Sequence, residues 1–258
     1  MIQMQDVTVF DLPVETKAYE QRIVMQNRDA DFSSYTIAYT PKKPEIVKPQ
    51  TSYISPMVMH VSERLKNGTL KEQESSIRTI LNSLDSSTGA QFLDKGINDA
   101  LFAIVDSDLS QYKGPTWSQK RLRNKHYQGK KLTKEQAKKA FELSDRERAE
   151  VNKGLALTAI AESQNLLFRE VYRRTGLKPS FKDLPAVDKI IYEAKNNQSE
   201  YVKIAALNAL GYLYRPEYLD DLSATFNDIA KTTKSDTIRK QAQGGIDMLE
   251  KEKAKLNK

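Results

Sequence analysis

Ten cations crowd one stretch of this chain. Lys113, Lys120, Arg121, Arg123, Lys125, Lys130, Lys131, Lys134, Lys138 and Lys139 face a single acid, Glu135, so residues 113–139 carry a net +9. Tyr112, Trp117, His126 and Tyr127 are interleaved with them. Cations at that density neutralise phosphates, and rings among them offer faces on which bases stack. The candidate contacts to an anionic partner are Lys113, Trp117, Lys120, Arg121, Arg123, Lys125, His126, Tyr127, Lys130 and Lys131. The same mixture suits an acidic protein face, and a charged run also serves as plain solvated surface. The whole 258-residue chain carries only +7, so everything outside this stretch is slightly acidic.

Other chemistry is scarce. No cysteine is present, which removes disulfides, thiolate metal sites and cysteine nucleophiles. Of the two histidines, His60 sits among Met57, Met59 and Val61 and reads as a packed or surface residue. His126 lies among cations, with no carboxylate nearby in sequence to orient it as a base. Asp106-Ser107-Asp108 opens like a calcium loop, but its sixth position is not glycine and its twelfth is Trp117, where a glutamate is needed. Gly129-Lys130-Lys131 lacks the upstream glycine of a phosphate-binding loop. The expectation is a non-enzymatic chain without metal or cofactor.

The elements that must carry the cationic stretch follow from punctuation and periodicity. Five of the nine prolines fall in the first 56 residues, and Thr40 to Pro49 cannot be helical. Residues 1–56 read as an extended, proline-rich N-terminal arm. Its candidate contacts are Val7, Val9, Phe10, Tyr35, Ile37 and Tyr39, in two short alternating pieces. Residues 57–258 read as an all-α domain. Ile77, Ile80, Leu81 and Leu84 follow helical spacing, and Phe92 to Val105 repeat it. Residues 107–132 break the period, which predicts a basic loop interrupting the helices. A long helix is expected from an N-cap at Ser144, with Glu147 three residues on, to Thr175-Gly176. Further helices are expected near 184–196, 199–214, 217–231 and 235–254. No apolar run reaches the ~18 residues of a membrane span, so no membrane insertion is expected.

The last third repeats itself at an offset of 36 residues. Val202, Ala206, Leu210 and Leu213 align with Ile238, Ala242, Ile246 and Leu249, and Lys203 aligns with Arg239. Each helix thus carries a branched residue, a basic neighbour, a small residue one turn on and two large aliphatics. The small residue lets a neighbouring helix come close. The basic one can reach a carboxylate or the preceding loop. Asp236-Thr237-Ile238-Arg239 resembles the acidic-x-x-Val-Arg-x-x-Ala pattern of the second helix in HEAT-type repeats, and Ser199 to Lys203 is a looser version. The resemblance is clear over residues 183–250 and weak over 74–106. It implies a HEAT-like α-solenoid; an irregular helical bundle is the alternative fold.

These readings expect a helical-repeat scaffold or adaptor that makes protein–protein contacts in a larger assembly. A nucleic-acid-binding HEAT-like protein using residues 113–139 is the alternative. HEAT-like DNA glycosylases are the enzyme class that this resemblance brings nearest, but no carboxylate and aromatic set converging on a cleft is assignable. A third reading is an extracytoplasmic structural protein whose signal peptide has been removed. Location is cytoplasmic if Met1 is the native start, and periplasmic or secreted otherwise.

Overall fold

The computed structural model describes residues 55–84, 89–176, 178–184 and 186–256. The arm contacts Val7, Val9, Phe10, Tyr35, Ile37 and Tyr39 lie outside these residues. Among the described residues every regular element is helical, so the body is all-α.

Among the described residues ten α-helices follow in order: α1 (Pro56–Asn67), α2 (Leu70–Leu84), α3 (Lys95–Asp106), α4 (Trp117–Tyr127), α5 (Lys134–Phe141), α6 (Asp145–Thr175), α7 (Val187–Asn196), α8 (Glu200–Tyr212), α9 (Leu219–Thr232) and α10 (Asp236–Leu256). Local chemistry sets their ends. Pro56 opens α1 where a missing N–H costs nothing. Thr69 with Glu72, and Ser144 with Glu147, form reciprocal capping boxes at the starts of α2 and α6. Gly176 ends α6 at φ 68°, a left-handed conformation that favours glycine.

The spine is α6, 31 residues long and therefore roughly 46 Å from end to end. It packs against α2, α3 and α8. Small residues make this possible: Ala156, Ala159 and Ala161 are fully buried. At Gly154 an added Cβ would lie 3.0 Å from the Ala205 Cβ and 3.3 Å from the Tyr201 ring, so α6 and α8 meet almost backbone to backbone. Polar side chains of α6 then tie in its neighbours. Asn152 Nδ2 donates to the Leu70 carbonyl at 2.8 Å and buried Lys153 Nζ to the Val105 carbonyl at 2.7 Å. Val105 lies in the last turn of α3, where carbonyls lack partners within the helix. Burial pushes the Lys153 pKa down, and the nearby Glu193 carboxylate partly opposes that.

Beyond α6, α8 packs with α7 and α10, and α10 with α9. The two helices aligned by sequence are built alike. Val202, Ala206, Leu210 and Leu213 are buried in α8 and at its end, as are Ile238, Ala242, Ile246 and Leu249 in α10. The likeness extends to the preceding turns. Ser199 Oγ accepts from Val202 N at 3.4 Å, and Ser235 Oγ accepts from Ile238 N at 3.3 Å. Asn197 and Thr233 in turn accept from the backbone N–H of those two serines. Arg239 reaches both groups expected of it, the Asp236 carboxylate and the Thr233 carbonyl of the preceding loop.

Residues 107–132 differ from their expectation. Most of the segment is helical: Leu109–Gln111 is a 3-10 turn and Trp117–Tyr127 is α4. The apolar period is missing because α4 holds one aliphatic residue, Leu122, and exposes most of its surface. Its start is set by polar chemistry instead. Thr116 and Gln119 form a capping box, as do Thr133 and Gln136 ahead of α5. The basic loop is a helical hairpin.

Candidate anionic-partner interface

The turn between α4 and α5 depends on Gly129. Its φ of 76° is left-handed, and it lets the Gly129 and Lys130 amides donate back to the His126 and Lys125 carbonyls. This pair of bonds closes the last turn of α4. The chain then reverses into α5, and the two helices pack on each other.

Inward-facing side chains fasten the hairpin to the start of α6. Gln119 Nε2 donates to the Glu142 carbonyl at 3.1 Å. Arg123 Nε donates to the Ala140 carbonyl at 2.6 Å, and the same guanidinium forms a two-pronged ion pair with Glu147, Nη2 lying 3.1 Å from Oε2. Glu147 is also the capping-box acid of α6, accepting from the Ser144 amide at 2.9 Å. The Arg123 bond above all, with the Ser144 donors, holds the Glu147 carboxyl at about 2, well below its usual range. The Arg146 amide completes the attachment, donating to the Lys113 carbonyl at 3.0 Å.

Two of the expected contacts also have partners within the chain. Arg123 is turned into the hairpin and spent on Glu147. His126 is exposed and sets its ring edge-on against Phe141, centroids 5.1 Å apart, which stabilises the α4–α5 contact. Phe141 and Leu143 were not legible as surface residues, yet both are exposed beside the cationic helices.

Most of the remaining candidates are solvent-exposed. Lys113, Trp117, Lys120, Arg121, Tyr127, Lys130 and Lys131 are exposed, and Lys125 is half-buried. Lys134, Lys138 and Lys139 add exposed charge from α5. Among the described residues, none of these nine cations makes an ion pair; Arg123 alone of the ten does. On α4 the positions 117, 120, 121, 124 and 127 fall on one helix face. That face carries Trp117 and Tyr127 near its ends, 72% and 75% exposed, with Lys120, Arg121 and Asn124 between them. The Arg121 guanidinium lies over the Trp117 ring, 5.3 Å from its centroid.

Such a surface can bind negative charge and stack flat rings. No cluster of His, Asp or Glu able to hold a metal ion occurs among the described residues, and none of their helices is long and apolar enough to cross a membrane. Comparison with protein-family models, with curated proteins and with solved structures gives no match.

Proposed function

We propose that this chain is a non-enzymatic helical scaffold that docks an anionic macromolecule on the exposed face of α4–α5. The observation that carries this reading is the set of nine cations in and just before one short hairpin, none with an ion pair among the described residues. Protein surfaces ordinarily intersperse the two signs, and like charges held together repel. A polyanion relieves that repulsion and releases its own counterions. The resemblance to HEAT-type repeats over 183–250 supports the scaffold part of the reading, as do the matching cores and caps of α8 and α10.

Retention on immobilised heparin tests it. The chain is expected to bind at low salt and to elute as salt rises, with log affinity falling linearly in log salt. A variant with Lys120, Arg121, Lys125, Lys130 and Lys131 changed to Gln is expected to flow through with unchanged helicity. Failure of the unaltered chain to bind any polyanion at low salt rejects the reading.

A second surface favours a protein contact and an adaptor role in a larger assembly. Between α8 and α10, Gly211 and Gly244 leave open space where side chains would stand, and the exposed Tyr212 and Met248 flank the groove. Apolar rims over small residues accept a partner's side chains. Affinity purification with Gly244→Arg as the control variant checks it: a protein partner held there co-purifies with the unaltered chain and is lost with the variant.

A further inference from the structure

We infer that the anionic partner is a single-stranded nucleic acid, laid along α4 with its bases stacked on Trp117 and Tyr127. This rests on the reading that α4–α5 docks a polyanion, and it adds the class of that partner. Charge alone does not account for the surface. Large aromatic side chains supply 150–250 Å² each to cores and interfaces, yet Trp117 and Tyr127 are 72% and 75% exposed on a helix that is fastened inward by Gln119 and Arg123 instead. Ten residues separate them, a rise of about 15 Å along α4. Lys120, Arg121 and Asn124 stand between. The face therefore alternates ring, cations, amide and ring along one line.

Each class of polyanion uses this line differently. An acidic protein buries such rings against apolar side chains and a sulfated polysaccharide meets mainly the cations; neither sets flat faces between anions along one strand. A duplex presents phosphates but keeps the faces of its bases inside its own stack. Unpaired bases on a phosphodiester backbone engage everything present: phosphates on Lys120 and Arg121, base faces on the two rings, and base edges within reach of the Asn124 amide. DNA and RNA single strands share this chemistry.

Trp117 is the chain's single tryptophan, so its emission reports stacking directly. The full chain is titrated at low salt with oligo-dT, oligo-U, a duplex of equal length, and heparin. Both single strands are expected to quench the emission and to bind at least about tenfold tighter than the duplex. Trp117→Ala and Tyr127→Ala, followed by anisotropy of a labelled strand, are each expected to weaken oligo-dT binding about 5- to 150-fold. Heparin affinity and the salt slope should not change in either variant. Lys120→Gln with Arg121→Gln should instead flatten the slope by about 0.7 per cation lost. Because both rings are exposed, circular dichroism of the variants should match the parent. Heparin or duplex binding as tight as the single strands, or ring variants without effect, overturns this inference and leaves the polyanion reading standing. Absence of binding to all four probes removes both.

Discussion

The guanidinium of Arg123 meets the carboxylate of Glu147 across 24 residues of chain, Nη2 standing 3.1 Å from Oε2. One end of this pair lies in the cationic hairpin, and the other caps the longest helix of the body. It makes a single side chain responsible both for starting α6 and for anchoring α4. Arg123→Ala should therefore loosen the hairpin before the rest. Amide exchange across 117–141 is expected to accelerate, with a loss of about 2–3 kcal/mol in overall stability, because a partly buried carboxylate is left without its cation. Glu147→Gln keeps the capping-box geometry with Ser144 and removes only the charge. Its loss should be roughly half as large by chemical denaturation.

Acid should dissolve the same anchor. Glu147 has a folded pKa of about 2 against an ordinary 4.5, so the unfolded chain takes up its proton first. The pair's contribution is full above about pH 4.5 and is lost as pH falls toward 2. Linkage caps that contribution at about 3 kcal/mol, and solvent screening of the partly exposed pair brings it below that. Denaturation at pH 6 and at pH 2.5 is expected to differ by less in Glu147→Gln than in the parent. Equal differences would contradict the assignment.

Adjacent glycines in α10 should respond with opposite signs. A Cβ added at Gly245 would fall 2.8 Å from a Phe226 ring carbon, whereas one at Gly244 meets nothing within 4 Å. Gly244→Ala is expected to stabilise by about 0.5–1 kcal/mol through helix propensity alone. Gly245→Ala must displace the ring of α9 and is expected to cost about 1–2 kcal/mol despite that propensity gain. Thermal midpoints of the two variants should straddle that of the parent.

The paired alanines of α8 and α10 test whether the two helices are equivalent in packing as well as in pattern. Ala206 and Ala242 are both fully buried. Leucine at either site overfills a closed crossing and should cost about 1–3 kcal/mol. Similar losses at the two sites are the expected result; a neutral change at one of them would show that its neighbour can move aside.

Much of this body was legible in the residues. Branched and small positions repeated at an offset of 36 marked α8 and α10, and each of those positions is buried. Ser144, Glu147 and Gly176 marked both ends of α6. Such signals are local or periodic, and one chain segment contains them whole. The hairpin was missed because apolar periodicity reports a buried face, and α4 has almost none. Its signal was polar: Thr116 with Gln119 and Thr133 with Gln136 repeat the spacing of Ser144 with Glu147.

By itself, then, the sequence determined an all-helical body, most helix limits and the sign of residues 113–139. Tertiary structure alone decided which of those charges remain available. Arg123 is consumed by an acid 24 residues away, while nine other cations keep no ionic partner among the described residues. A side chain's charge is a property of the residue. Its neutralisation belongs to a contact within about 4 Å in space, and spacing along the chain does not specify that contact.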